Sequence, residues 1–276
     1  MIVQAVLNTG TRMLREAGVE DPIRDARILL AASLGIKQGR LTLHIYDQID
    51  REMEAAFLAN VVERCEGKPV SHLLGQREFF GRQFNVNPAV LDPRPDTETL
   101  IEAALSKPFL EVLDLGIGSG CILLTLLSEL PEATGIGTDV SEAALTVAQI
   151  NANALGVSKR CALIESNWFE AVGGRYDLIV SNPPYIAADE MEGLEPELSF
   201  EPRVALTDDS DGLSAYRVIV PGAGAHLTPG GRLLVEIGWR QGEAVSTLFQ
   251  EAGFETIAVS PDLEGRDRVV SGVWPK

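Results

Sequence analysis

From about residue 96 onward, short apolar runs alternate with helical stretches, and this alternation most narrows the folds open to the chain. The runs are EVLDL (111–115), TGIGT (134–138), CALIE (161–165), YDLIVS (176–181) and RLLVEI (232–237), and TIAVS and RVVSGVW close the chain. Five βα units followed by two final strands imply an α/β fold built on a doubly wound, seven-stranded, mostly parallel sheet. A chain of 276 residues, 45% apolar, has room for such a domain and a smaller one besides.

The smaller one precedes it. Residues 2–17 place Val3, Val6, Leu7, Leu14 and Ala17 near one helical face, and EDPIRDARILLAASLG carries Asp21 as an N-cap ahead of Pro22 at the first helical position. Met53, Phe57, Val61 and Cys65, spaced by four, predict a third helix over about 50–65. The segment REFFGRQFNVNPAVLDPRPDTE alternates around Gly81 and Asn87 and predicts a hairpin. The expected organisation is a helical bundle over 1–75, a hairpin linker over 76–95 and an α/β domain over 96–276.

Composition removes several classes. Cys65, Cys121 and Cys161 lie far apart with no CxxC pair, and His44, His72 and His226 lack ligand partners at metal spacing. Reduced, structural cysteines and no metal are expected. The N-terminal stretch 1–22 is amphipathic and holds Glu16, Glu20 and Asp21 without a long apolar core, which predicts no secretion signal, no membrane span and a cytoplasmic location. Residues 1–85 hold 11 Lys+Arg and 11 Asp+Glu, whereas residues 86–276 hold 12 and 29, so the net charge of −17 lies wholly in the second part. Such a surface would repel a phosphate backbone, and no direct nucleic-acid partner is expected.

The first βα turn reads LDLGIGSGC. Gly116, Gly118 and Gly120 let the backbone turn sharply and approach a ligand at a helix N-terminus. Asp139 ends the next strand, where a carboxylate can accept both hydroxyls of an adenosine ribose. Cys121 stands where a dinucleotide site wants glycine, and Asp114 ahead of the loop suits an ammonium group better than a pyrophosphate. S-adenosylmethionine therefore fits better than NAD, against the plainer alternative of a tight structural turn.

The fourth strand runs into SNPPYI (181–186). Its prolines end the strand, and in an open α/β sheet the fourth strand's carboxyl end lies beside the first, so Asn182, Pro183, Pro184 and Tyr185 should flank the glycine loop. The chemistry that suits them is methylation of a planar NH2 group. The Asn182 side-chain oxygen and the Pro183 carbonyl can each accept one hydrogen, Pro184 stiffens the pair, and Tyr185 offers a flat face for stacking. A plain turn is the structural alternative. Asp96 is expected to cap a helix, with the role of Arg94 left open, and the acidic run 189–201 is expected to be either a solvated loop or a lid for a basic partner.

Nearly the whole chain resembles HemK/PrmC-type protein-(glutamine-N5) methyltransferases. The likeness is carried by PVSHLLGQREFFG (69–81), DPRPDTETLI (92–101), VLDLGIGSG (112–120), SNWF (166–169), SNPPYI, FEPRVAL (200–206), DGLSAYR (211–217) and LTPGGRLLVEIG (227–238). Ile117, Asn167 and Asp92 depart from the family's usual threonine, aspartate and apolar residue. The resemblance implies a class I, Rossmann-like S-adenosylmethionine-dependent methyltransferase fold. It also implies transfer of a methyl group to the glutamine of the GGQ motif in class I peptide chain release factors, with S-adenosylhomocysteine as product. Asp114, Gly116, Ile117, Gly118, Ser119, Gly120, Asp139, Trp168 and Asn182 would then contact the cofactor, with Asn182, Pro183, Pro184 and Tyr185 holding the glutamine amide. Trp168 reads equally as a core residue. A monomer is expected, with the helical bundle docking the release factor. The competing readings are a nucleic-acid amino methyltransferase acting on adenine N6 or guanine N2, and a binding protein that keeps the fold without catalysis.

Overall fold

A computed structural model describes residues 1–194 and 196–275. The chain forms two compact units, one of residues 1–76 with 196–200, the other of residues 77–194 with 201–275.

The first unit is helical. Helices α1 (Val3–Glu16), α2 (Pro22–Ser33) and α3 (Arg51–Cys65), with the short α4 (Val70–Leu74), surround a core of Val3, Val6, Leu14, Leu29, Leu30, Phe57 and Val61. The Asp21 side chain accepts from Arg24 N at 3.2 Å, the cap that its place before Pro22 predicts. Arg64 is buried here and satisfied from three directions. Its Nε donates to Asp25 Oδ2 at 2.7 Å, and its other nitrogens donate to the Lys68 carbonyl and to Glu197.

From Arg77 onward, the hairpin β1 (Gln76–Phe79) and β2 (Arg82–Asn85) opens the second unit. Phe80 and Gly81 both take positive φ, 48° and 69°, which gives the two-residue turn whose twist matches the strands. Phe79 and Phe84 meet edge to face at 6.1 Å and join the core of this unit, so the hairpin packs as part of the α/β layer rather than standing apart as a linker.

The remaining elements are α5 (Glu98–Leu105), β3 (Glu111–Leu115), α6 (Cys121–Glu129), β4 (Thr134–Asp139), α7 (Glu142–Ala154), β5 (Cys161–Glu165), β6 (Tyr176–Ser181), α8 (Arg203–Leu206), α9 (Ser214–His226), β7 (Leu227–Glu236), α10 (Gly242–Glu251), β8 (Glu255–Pro261) and β9 (Asp267–Val273). Among the described residues the sheet has seven strands in the order β5-β4-β3-β6-β7-β9-β8, parallel except where β9 pairs with β7 and β8. Its central strands read as continuous apolar runs because both faces are covered. Val112, Leu178, Val180 and Leu234 point into the layer of α5, α6 and α7. Leu113, Leu115, Ile179, Leu233 and Val235 point into the layer of α9 and α10. The order reverses direction at β3, between β4 and β6, and loops after these strands converge at one end. Among the described residues no helix is long and apolar enough to cross a membrane.

Candidate active site

The pocket sits at that switch point. It has a volume of about 280 Å³ and is bounded by residues 89–94, Thr97, the loop 116–119, Cys121, Ile122, residues 139–141, Ala144, residues 166–168, Asn182, Pro183, Pro184 and residues around 202–205.

Gly116, Gly118 and Gly120 all have positive φ, 75°, 55° and 83°. The requirement is strictest at Gly120, where a Cβ would stand 2.7 Å from Leu124 Cδ1, while a Cβ on Gly118 would enter open space. Asp139 binds this loop directly, its Oδ2 accepting from Gly118 N at 2.9 Å and its Oδ1 from Ser141 N at 3.0 Å. Each carboxylate oxygen keeps a second acceptor position. The loop is braced from the other side by buried Asn151, whose Nδ2 donates to Ser119 O at 2.8 Å and to Asn85 O at 3.0 Å. Trp168 holds φ 50° and lies across the loop, 3.8 Å from where a Gly116 Cβ would be.

Asp114 is placed differently from the expectation of an ammonium partner. It is fully buried behind the loop and does not line the pocket. Its Oδ2 accepts from Leu123 N at 3.2 Å in the first turn of α6, and burial pushes its carboxyl up to about 7. Asp114 thus braces α6. Gly120 also lies behind the pocket wall, whereas Ile117 and Ser119 line it. The Ile117 side chain packs over Gly137, where a Cβ would stand 2.1 Å from Ile117 Cδ1.

Asn182, Pro183 and Pro184 line the pocket beside the glycine loop. Asn182 Nδ2 donates to Thr97 Oγ1 at 3.3 Å. Tyr185 turns away from the pocket, packing against the layer of α9 and donating its hydroxyl to Glu236 Oε1 at 3.3 Å. Its backbone carbonyl accepts from Gln241 Nε2 at 2.9 Å, which pins the far end of the motif. The expected stacking face is therefore turned toward the core.

Asp96 does not cap α5. Its carboxylate pairs with Arg268 Nη2 at 3.0 Å, a partner 172 positions along the chain that no local pattern announces. Arg94 lines the pocket and pairs with buried Glu201. Within the acidic run, Glu190 and Glu192 are exposed and Glu197 is taken up by Arg64. Glu195 lies outside the described residues. Thr97, Asn151, Glu236 and Gln241 were not singled out by sequence reasoning; an acid inside the apolar run RLLVEI was the one visible signal among them.

The sheet order and the glycine loop at its switch point define a class I S-adenosylmethionine-dependent methyltransferase fold. Residues 92–195 match the Methyltransferase small domain family, and residues 5–75 match the PrmC N-terminal domain family. The chain belongs to the release factor glutamine methyltransferase family. It is 54% identical to the release factor glutamine methyltransferase of Cereibacter sphaeroides over 98% of this chain and 97% of that one. It is 42% identical to the Geobacter sulfurreducens protein of the same name, over 98% and 96%. Among solved structures, a Pyrococcus furiosus methyltransferase matches with a TM-score of 0.56 at 16% identity, covering 79% of this chain and 98% of that one. The hMettl16 catalytic domain, solved with an RNA hairpin, matches at 0.60 and 16% identity, covering 76% and 83%; these two likenesses concern the fold.

Proposed function

We propose that this protein methylates the side-chain amide nitrogen of the glutamine in the GGQ motif of a peptide chain release factor, drawing the methyl group from S-adenosylmethionine. The observation that carries the reading is the placement of Asn182 and Pro183 on the wall of a pocket that also contains Asp139 and the glycine loop.

The residues present fit the cofactor. Asp139 retains acceptor positions for ribose hydroxyls, the backbone at Gly118 is open to close approach, and Val140, Ile122 and Ala144 supply an apolar wall. When bound, S-adenosylmethionine supplies an electrophilic methyl group on a positively charged sulfur. An amide nitrogen is a poor nucleophile because its lone pair is delocalised into the carbonyl. Asn182 Oδ1 and the Pro183 carbonyl accept its two hydrogens, hold the nitrogen in line and stabilise the positive charge it gains. Held by these two acceptors, the nitrogen would take the methyl group that the cofactor supplies as an electrophile and would give up one proton to solvent. The pair needs no tuned general base before attack.

The helical unit is the proposed docking surface for the release factor, consistent with its match to a family-specific N-terminal domain. Exposed Glu190 and Glu192 suit a basic partner loop, and affinity that survives their neutralisation would count against that role. The reaction is tested by incubating the protein with labelled S-adenosylmethionine and purified release factor carrying GGQ or GGE, with an Asn182→Ala control and a panel of DNA and RNA. Label on GGQ alone, lost in the control, supports the reading. Label on nucleic acid alone overturns it in favour of a base methyltransferase.

A further inference from the structure

Behind Asn182 and Tyr185 lies a carboxyl group that the reaction scheme above leaves without a role. Glu236, the last residue of β7, is 1% exposed. Its Oε1 accepts from the Tyr185 hydroxyl at 3.3 Å, and its Oε2 has no aligned partner among the described residues. The Thr97 hydroxyl stands close enough to the same carboxylate to stabilise its charged form. Thr97, itself 1% exposed, also accepts from Asn182 Nδ2 at 3.3 Å. One hydroxyl therefore stands between the amide-holding side chain, to which it is bonded, and a buried acid within its reach.

The chemistry of the three groups gives this chain a direction. An ionised carboxylate only accepts hydrogen bonds, and a threonine hydroxyl has one hydrogen to give. Once that hydrogen goes to Glu236, Thr97 has only lone pairs left for Asn182. Asn182 must then turn its NH2 group toward Thr97 and its oxygen toward the pocket. A protonated or amidated residue 236 could donate instead, and the hydroxyl would be free to turn round, either accepting from the Asn182 NH2 or donating to the Asn182 oxygen. A flipped Asn182 would set its own NH2 against the NH2 of the substrate, donor facing donor.

We infer that Glu236, acting through Thr97, is a positioning residue that fixes which end of the Asn182 amide faces the substrate. It thereby selects a substrate bearing an NH2 group. This rests on the functional reading above. The groups facing Glu236 are Tyr185 from the loop after β6, Arg268 from β9, Asp96 from the segment before α5, Tyr216 from α9 and Cys121 from α6. Burial raises the Glu236 carboxyl to about 7, while Thr97 and Arg268 pull it down. The carboxylate form, which sets the direction, is therefore lost as pH falls below that value.

The test compares Glu236→Gln, Thr97→Val, Thr97→Ser and the Glu236→Gln/Thr97→Val double variant in the full chain. It measures kcat and KM for release factor from pH 6 to 9, and S-adenosylhomocysteine affinity by calorimetry. Side-chain NMR of asparagine-labelled protein without cofactor is recorded alongside. The expected result is a kcat about 10- to 100-fold lower in Glu236→Gln and Thr97→Val, with KM and cofactor affinity little changed. The double variant should be no worse than either single one, because both break the same chain. Thr97→Ser should recover kcat relative to Thr97→Val, the fall in kcat below about pH 7 should vanish in Glu236→Gln, and the Asn182 amide resonances should shift. A wild-type kcat in Glu236→Gln, or losses that multiply in the double variant, would overturn the inference. If Glu236→Gln does not fold, a Thr97→Val enzyme as fast as wild type overturns it alone. If wild-type protein labels no release factor, the functional reading fails, and unchanged Asn182 resonances in Glu236→Gln would still sink the role of Glu236.

Discussion

Arg94 Nη2 lies 2.5 Å from Glu201 Oε1, on a carboxyl group that is 7% exposed and whose Oε2 has no partner among the described residues. Burial pushes that carboxyl up to about 7 in spite of the guanidinium beside it. The pair fastens the chain at the residue where it re-enters the α/β unit, next to the pocket-lining residues Pro202, Val204 and Ala205.

Removing the cation should leave an unpaired buried acid. Arg94→Ala is expected to cost about 1–3 kcal/mol, below the loss usual for a fully buried pair because Arg94 is partly exposed. Adding Glu201→Gln should recover part of it. Urea denaturation of the single and double variants checks both.

Arg64 in the helical unit should be more sensitive, since it is buried and faces both Asp25 and Glu197. Arg64→Ala is expected to cost about 3–5 kcal/mol, and Arg64→Met combined with Asp25→Asn considerably less. Denaturation curves for the two would coincide if the ion pairs were without effect.

The glycine loop offers a contrast between stability and binding. Gly120→Ala meets both a φ of 83° and Leu124 at 2.7 Å, and should lose about 1–3 kcal/mol of stability. Gly118→Ala meets only a positive φ with open space beyond. It should fold with a smaller loss and show the larger fall in S-adenosylhomocysteine affinity, because its methyl group would stand where the ligand approaches. Thermal melts and calorimetry on the same samples separate the two effects.

Stability should also depend on pH through three buried acids. Burial raises Asp114, Glu201 and Glu236 from the ordinary carboxylate range to about 7. Between the ordinary carboxylate range and 7 the folded protein binds more protons than the unfolded chain at these positions, so their contribution falls as pH rises through that window. Their share of stability should be greater at pH 5.5 than at pH 8, and Glu236→Gln should flatten the profile. A steeper profile in that variant would contradict the assignment.

Much of the fold was visible in the chain itself. The runs at 111–115 and 176–181 coincide with β3 and β6 because each is a buried central stretch bounded by polar or turn residues, and the run at 161–165 coincides with β5, a half-exposed strand at the edge of the sheet. β7 begins at Leu227, earlier than the run at 232, because Leu227 pairs with Tyr176 of β6 and Gly230 and Gly231 exchange backbone bonds with Trp274, just past β9. Local patterns carry no signal for such a pairing. The site was legible where a motif speaks through its own backbone, as at Gly118 and Asp139. It was not legible where a side chain's meaning depends on a distant partner: Asp96 turns to Arg268, Asp114 to the start of α6, and Tyr185 to Glu236.

The two prolines after Asn182 act on the unfolded chain as well as the folded one. Each ring fixes its own φ, and each proline restricts the residue before it, so the chain gives up little conformational freedom when this segment takes its native path. The direction of the Pro183 carbonyl is thus set largely by covalent chemistry, and the acceptor stands ready before any ligand arrives. On the reading proposed above, that half of the clamp is fixed by the chain's own covalent constraints and has little to gain from induced fit, whereas the Asn182 half depends on the neighbours it meets in the folded protein.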